Sequence, residues 1–303
     1  MALSRLQIAK RNIFTAIEGS DKKVLMLKDL RALLSANRLS WNLAQATTSS
    51  HFVNFLIEKG QLKTWRFNFP YRPETRYTWG EASPFQVIAT IRPDGYFSHY
   101  TALSYHGLTE QIPKIIYLNC EQPLKSPSSA ASSLEQARID RAFRGRPRQS
   151  SNSATFGDLS VCLISGKNTS NLGVITAQAG DFKGLPVTDL ERTLLDAAVR
   201  PFYAGGPFEI LKAYENAKGT LSTNRLASLL KRMDLIYPYH QAIGFYLEMA
   251  GYPEKSQLQF LEMGLEYDFY LTYQLSNPEY SKKWRLYFPK GMRPLQTFST
   301  KSK

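Results

Sequence analysis

The chain has 303 residues, 43% of them hydrophobic, and a formal net charge of +13. This length suits roughly two domains of about 150 residues each, and the apolar content is ample for their cores. There is no run of about 18 uncharged apolar residues to suggest a transmembrane helix. The charged start, MALSRLQIAKRNIF, lacks the apolar segment and cleavage site of a secretory signal. Cys120 and Cys162 have neither metal-ligand spacing nor a disulfide framework. A reduced, cytoplasmic protein with no membrane partner is the expectation.

The charge is unevenly distributed. Residues 1–80 carry 13 basic and 5 acidic side chains, a net +8, and the remaining 223 residues carry only +5. A basic module on a less basic body suggests that one end touches an acidic polymer. In SRLQIAKRNIFTAI, Leu6, Ala9, Ile13 and Ile17 form one helical stripe, with Ser4 placed as N-cap. DLRALLSANRL repeats the pattern through Leu30, Leu33 and Leu34, and Asp29 suits the positive end of that helix. TTSSHFVNFLIEKG opens on hydroxyl caps and stops at Gly60. Phe52, Phe55, Leu56 and Lys59 fall inward, with Ser50, His51, Asn54 and Glu58 on the other side. A ribbon follows, in which Leu62, Trp65, Phe67 and Phe69 mostly alternate with polar residues and Tyr77 and Trp79 return. Three short helices and a basic hairpin predict a winged helix-turn-helix over residues 1–80.

Such a module places its last helix in the major groove of double-stranded DNA while the wing reaches phosphates. Ser49, Ser50, His51 and Asn54 are the candidates for base edges, since Asn can bond adenine through two hydrogen bonds. Lys63, Arg66, Arg72 and Arg76 are the candidates for phosphate contacts.

From residue 81 to 303 the sequence predicts a mixed α/β domain with a helical C-terminal part, making the whole chain α+β. GEASPFQVIATIRPDG reads as the junction. GYFSHYTALSYHGLTEQIP places a short helix between Ser98 and Gly107, and KIIYLN is a strand. His99 and His106 are seven residues apart, about 10 Å along a helix, too far to share one metal ion. Both are expected to be structural. Residues 121–157, with their serines and the arginines Arg138, Arg141, Arg144, Arg146 and Arg148, read as a flexible segment around a short helix, LEQARIDRAFRG. Those arginines form either a second patch for nucleic acid or an acidic partner, or an exposed helix face.

FGDLSVCLISGK and LGVITAQAG read as buried strands. In LPVTDLERTLLDAAVRP, Thr188 and Glu191 form a capping box, and Leu190, Leu194, Leu195 and Ala198 form the buried stripe. Glu191, Arg192 and Asp196 are expected to be structural. The aromatic-rich stretch from Tyr237 to Lys290 is expected to enlarge the core. There is no phosphate-binding glycine loop, no GxSxG and no HExxH. Asp158 and Lys167 suggest a nuclease strand pair, but Ser165 stands where a second carboxylate is needed. The expectation is a non-enzyme without cofactor or metal.

The order of these segments resembles the AbiEi family, the antitoxin half of type IV toxin–antitoxin systems. The resemblance covers residues 5–290 and rests on GYFSHYTALSYHGLTEQIP, on VTDLERTLLDAAVRP and on the YAGG that follows, together with the N-terminal module. It implies a protein that binds operator repeats in its own promoter through the winged helix and represses its operon. It also implies a body that counteracts a nucleotidyltransferase-type toxin of a phage-defence operon, without a stable complex in that family. Ser49 to Asn54 then match the recognition helix and the hairpin arginines the backbone contacts. The alternative is a regulator of another system whose body senses a ligand or a partner.

Overall fold

Residues 3–124 and 134–294 are described by the computed structural model. At the N-terminus, α1 (Arg5–Ile8) opens with the predicted cap: Ser4 Oγ accepts from Gln7 N, and Gln7 Oε1 accepts from Ser4 N. The expected single helix breaks at Ala9 and resumes as α2 (Lys10–Glu18). After β1 (Val24–Leu25) come α3 (Leu27–Asn37) and α4 (Ser49–Lys59). Asp29 accepts from Met26 N at 2.8 Å at the start of α3. Burial works against its charge, yet the bonds from Lys22 and Met26 hold its carboxyl below the ordinary value.

Between α3 and α4, Arg38 reaches across the turn to donate to Ala44 O, Gln45 O and Thr47 O. This one guanidinium fixes the approach to α4, whose first turn Thr48 Oγ1 caps by accepting from His51 N. Gly60 ends the helix as expected. A Cβ there would lie 2.6 Å from the Trp79 ring, so only glycine lets the return strand approach this closely.

The hairpin of β2 (Leu62–Phe67) and β3 (Glu74–Trp79) completes the antiparallel sheet β1-β3-β2. Its register pairs Leu62 with Trp79 and Thr64 with Tyr77 on one face, and Trp65 with Arg76 and Phe67 with Glu74 on the other. Leu62, Tyr77 and Trp79 pack on the helical core around Ile13, Leu30, Phe52 and Leu56. Trp65, Phe67 and Phe69 instead join the core of the following region, with Trp65 stacked on Phe156 at 4.5 Å. Both faces of the hairpin are therefore occupied, and residues 1–80 share a core with residues 81–303.

The rest is mixed α and β, so the chain is α+β as a whole. The junction expected near residue 81 contains a helix, α5 (Pro84–Ala89), capped reciprocally by Ser83 and Gln86. Then come β4 (Tyr96–Phe97), α6 (His99–Tyr105), β5 (Ile115–Glu121), α7 (Gln136–Arg144), β6 (Ser153–Phe156), β7 (Leu159–Gly166), β8 (Val174–Thr176), β9 (Pro186–Thr188) and α8 (Leu190–Val199). The strands form one sheet in the order β6-β7-β5-β4-β9-β8, with β5 parallel to β7 and β4 parallel to β9. Two expectations need correction here. Strand β8 lies at the sheet edge and is largely exposed rather than buried. The cap of α8 is Asp189, which accepts from Arg192 N at 2.8 Å, because Thr188 is taken up as the last residue of β9.

The short helix expected within the segment near 121–157 is present as α7, and a stretch without regular structure separates it from β6. Helix α7 is held by Ile139 and Phe143, both buried in the helical core. Residues 125–133, with five of the serines that suggested flexibility, lie outside the described residues.

Four helices pack beside the sheet: α9 (Pro207–Asn216), α10 (Thr223–Met233), α11 (Tyr239–Met249) and α12 (Glu254–Leu261). A small sheet follows, of β10 (Phe269–Tyr270), β11 (Glu279–Ser281) and β12 (Leu286–Phe288). Most aromatics of 237–290 join the core, with Tyr246, Phe269 and Trp284 all but fully buried, while Tyr280 is exposed.

Candidate nucleic-acid interface

Helix α4 buries Phe52, Val53, Phe55 and Leu56 and exposes Ser50, His51, Asn54 and Glu58. Ser49 is half-buried, and Lys59, expected inward, is exposed. A helix placed in a DNA groove presents the outer side of its first turns. Ser50, His51 and Asn54 occupy that side together, one helical turn or less apart.

The four hairpin cations divide. Lys63, Arg66 and Arg72 are exposed, with Arg72 at the turn 85% exposed and 3.9 Å from Glu74. Arg76 is a correction to the phosphate-contact expectation: its side chain is only 6% exposed. It donates to Glu74 Oε2 at 2.9 Å, to Thr90 Oγ1 at 2.9 Å, to Thr75 O and to Thr90 O. All three of its nitrogens are engaged within the protein, and the buried residue ties the hairpin to the end of α5. Alternation could have revealed this, since Arg76 pairs with Trp65 on the face turned to the body.

The second arginine group also divides. Arg138 and Arg144 are exposed on α7, whereas Arg141, Arg146 and Arg148 line a cleft. That cleft, about 720 Å³ in volume, is shared with Lys167, Arg200, Phe202, Tyr237 and Tyr273. Sequence separation hid this assembly, because Arg200 and Tyr273 come from distant segments.

Behind the cleft is a buried polar cluster. Arg192 Nε donates to Asp196 Oδ1 at 2.8 Å, while its other nitrogens reach Leu172 O at 2.5 Å, Thr169 Oγ1 at 3.2 Å and Tyr96 OH at 3.1 Å. Burial opposes the Arg192 charge, but Asp196 outweighs it and keeps the guanidinium firmly protonated. Tyr96 passes the chain on to Glu121, which also accepts from Thr169 N and Asn171 N. Asp189 and Glu191 meet Arg225 from α10. These bonds and ion pairs join α8 to the sheet and to α10.

The chain's similarity to known proteins lies in its fold. No protein-family model matches the sequence, and no curated protein matches it. The chain is similar to the crystal structure of the RV2827C protein from Mycobacterium tuberculosis, with a TM-score of 0.61 and 16% sequence identity. The match covers 93% of this chain and 91% of that one. At this identity the likeness concerns the fold, and it runs through the N-terminal module and the body alike.

The histidines and the strand pair resolve on geometry. His99 Nδ1 lies 2.8 Å from Ser98 Oγ, and His106 Nε2 lies 2.8 Å from Thr188 O. Burial holds both imidazoles below their ordinary pKa, His99 strongly so, with Arg200 and Arg192 adding to its shift. Asp158 sits in the β6–β7 turn and Lys167 beyond the far end of β7, some 25–30 Å away by strand rise. The two cannot share one metal site. Lys167 Nζ instead donates to Met233 O at 2.8 Å and to Asp234 O. Among the described residues no helix is long and apolar enough to cross a membrane.

Proposed function

We propose that this chain is a DNA-binding autorepressor and antitoxin of the AbiEi type, with residues 1–80 acting as a winged helix. The observation that carries this reading is the outer face of α4. Ser50, His51 and Asn54 stand exposed there, on a module with a net charge of +8. Charge of that density is self-repulsive unless an acidic partner offsets it. Lys63, Arg66 and Arg72 supply phosphate contacts, and Asn54 is the residue placed for base readout. The likeness to the family motifs around Ser98–Gly107 and Thr188–Asp196 supports the second half of the reading, antagonism of a nucleotidyltransferase-type toxin by the body. In this reading those two motifs specify the fold and perform no chemistry, in keeping with the bonds by which Arg192 joins α8 to its neighbours.

Co-expression with the neighbouring gene tests the antitoxin role. Wild type and a full-length Asn54→Ala, Arg72→Ala variant are both expected to rescue growth from a toxic neighbour, while only wild type represses the promoter. A harmless neighbour, or a toxic one that neither protein counters, would refute the antitoxin role. Full-length variants are required because deleting residues 1–80 would remove Phe67 and Phe69 from the core of the body.

A further inference from the structure

We propose that the cleft between α7, the end of α8 and the 234–239 loop is a binding site for a free nucleotide. This inference is independent of the DNA-binding reading. Five cationic side chains line the cleft, from Arg141, Arg146, Arg148, Lys167 and Arg200, against the single carboxylate of Asp234. Asp234 lies 3.7 Å from Lys167. The four arginines have no acidic side chain within ion-pair distance among the described residues. Convergent guanidinium groups repel one another unless an anion joins them, and their planar forks match phosphate oxygens.

The lining is also aromatic. Tyr273 stacks on Phe143 at 4.5 Å and meets Phe202 edge-on at 6.0 Å, and Tyr237 packs edge-on against Phe143 at 5.4 Å. Phe143 is itself buried, so these rings are held in place before any ligand arrives. Rings of this kind receive a flat base, and stacking tolerates every base identity. A volume of about 720 Å³ falls in the range of small-ligand sites and suits one nucleotide.

A second observation comes from a small recess that adjoins the cleft and shares Lys167, Val199, Arg200 and Leu235 with it. Asn119 lines the recess, is 3% exposed, and has an Oδ1 with no hydrogen-bond partner. A buried acceptor without a donor is costly. Its placement depends on Gly166, where a Cβ would lie 2.8 Å from that same oxygen. His99, also in the recess, has a φ of +53°, a conformation that side-chain-bearing residues adopt only where surroundings enforce it. Phosphate supplies acceptors to arginine but no donor to Asn119. A nucleoside supplies donors through its sugar hydroxyls and base amino groups, so the two halves of the site call for a ligand carrying both.

Calorimetric titration of the full-length protein with ATP, GTP, CTP and UTP tests the site. Inorganic triphosphate serves as the phosphate-only probe and a 5′-phosphorylated single-stranded hexanucleotide as the polymer probe. At least one nucleotide is expected to bind saturably, and about tenfold or more tighter than triphosphate. The exposed pair of changes Arg146→Gln and Arg148→Gln is expected to weaken it about tenfold or more. Tyr237→Leu is expected to bring nucleotide affinity toward that of triphosphate, and Asn54→Ala to leave it unchanged. Three results would overturn the proposal: no saturable binding of any nucleotide, binding of the hexanucleotide alone, or equal affinity for triphosphate with Tyr237→Leu silent.

Discussion

The hairpin and the cleft both gather arginines but use them in opposite ways. At the hairpin, Arg76 has all three nitrogens engaged within the protein, and four residues earlier Arg72 projects from the turn. In the body, all three nitrogens of Arg192 are bonded, to Asp196, Thr169, Leu172 and Tyr96, while Arg200, eight residues later, lines an open cleft and forms no ion pair among the described residues. In each region a buried arginine joins elements of the fold, and arginines free to meet an anion lie beside it. Neighbouring arginines that look alike in sequence are thus separated by what their backbone positions let them reach.

Breaking the buried arginines should cost stability, beginning with the largest effect. Arg192→Leu leaves Asp196 buried without its partner, and loss of one member of such a pair costs about 3–5 kcal/mol. Urea denaturation should show that loss in full, whereas Arg148→Gln should stay within about 0.5 kcal/mol of wild type. A near-neutral Arg192→Leu would mean that the α8 cluster is not what holds the helix to the sheet. Arg76→Ala should cost less, about 1–3 kcal/mol, because Glu74 and the Thr90 carbonyl lose their donors. If that variant kept its stability, the joint between hairpin and α5 would rest on Trp65 and Phe67 alone.

Local signals in the sequence carried the helices well. Ser4, Thr48 and Gly60 marked ends that the structure keeps, and the stripe through Phe52, Phe55 and Leu56 gave the buried side of α4. The same signals missed α5, whose Ser83 cap and Gln86 partner lie in a stretch read as a junction. A basic residue near a turn reads as solvent-facing, but the cross-strand partner of Arg76 is Trp65, which turns it toward the body. The cleft was beyond local reading. Arg141, Arg200, Tyr237 and Tyr273 converge only through the packing of α7 and α8 on the helical core. Likewise, the domain boundary at residue 80 divides a core that Phe67 and Phe69 share with Val87 and Leu118.

A smaller effect sharpens the contrast around Arg200. Burial first, then Arg200 and Arg192, hold His99 well below its ordinary pKa, so it stays neutral in the fold where the unfolded chain takes up a proton. Stability from this group is complete above about pH 6.5 and declines as pH falls, by up to about 1.4 kcal/mol per pH unit. His99→Asn, chosen because Asn tolerates a positive φ, should flatten the dependence of the urea midpoint between pH 5 and 6.5. His106 and His240 shift the same way, and a residual slope should remain. An unchanged slope in His99→Asn would show that His99 is not the group being protonated.

The most direct measurement is fluorescence anisotropy of the full-length protein on the inverted repeat of its own promoter across a salt series, with Arg72→Ala and Arg76→Ala alongside. The account predicts salt-sensitive binding. Arg72→Ala should weaken every sequence alike and reduce the salt slope by about 0.9, while folded Arg76→Ala should keep the slope of wild type. Binding that ignores salt, or a slope that falls with Arg76→Ala and not with Arg72→Ala, would contradict it.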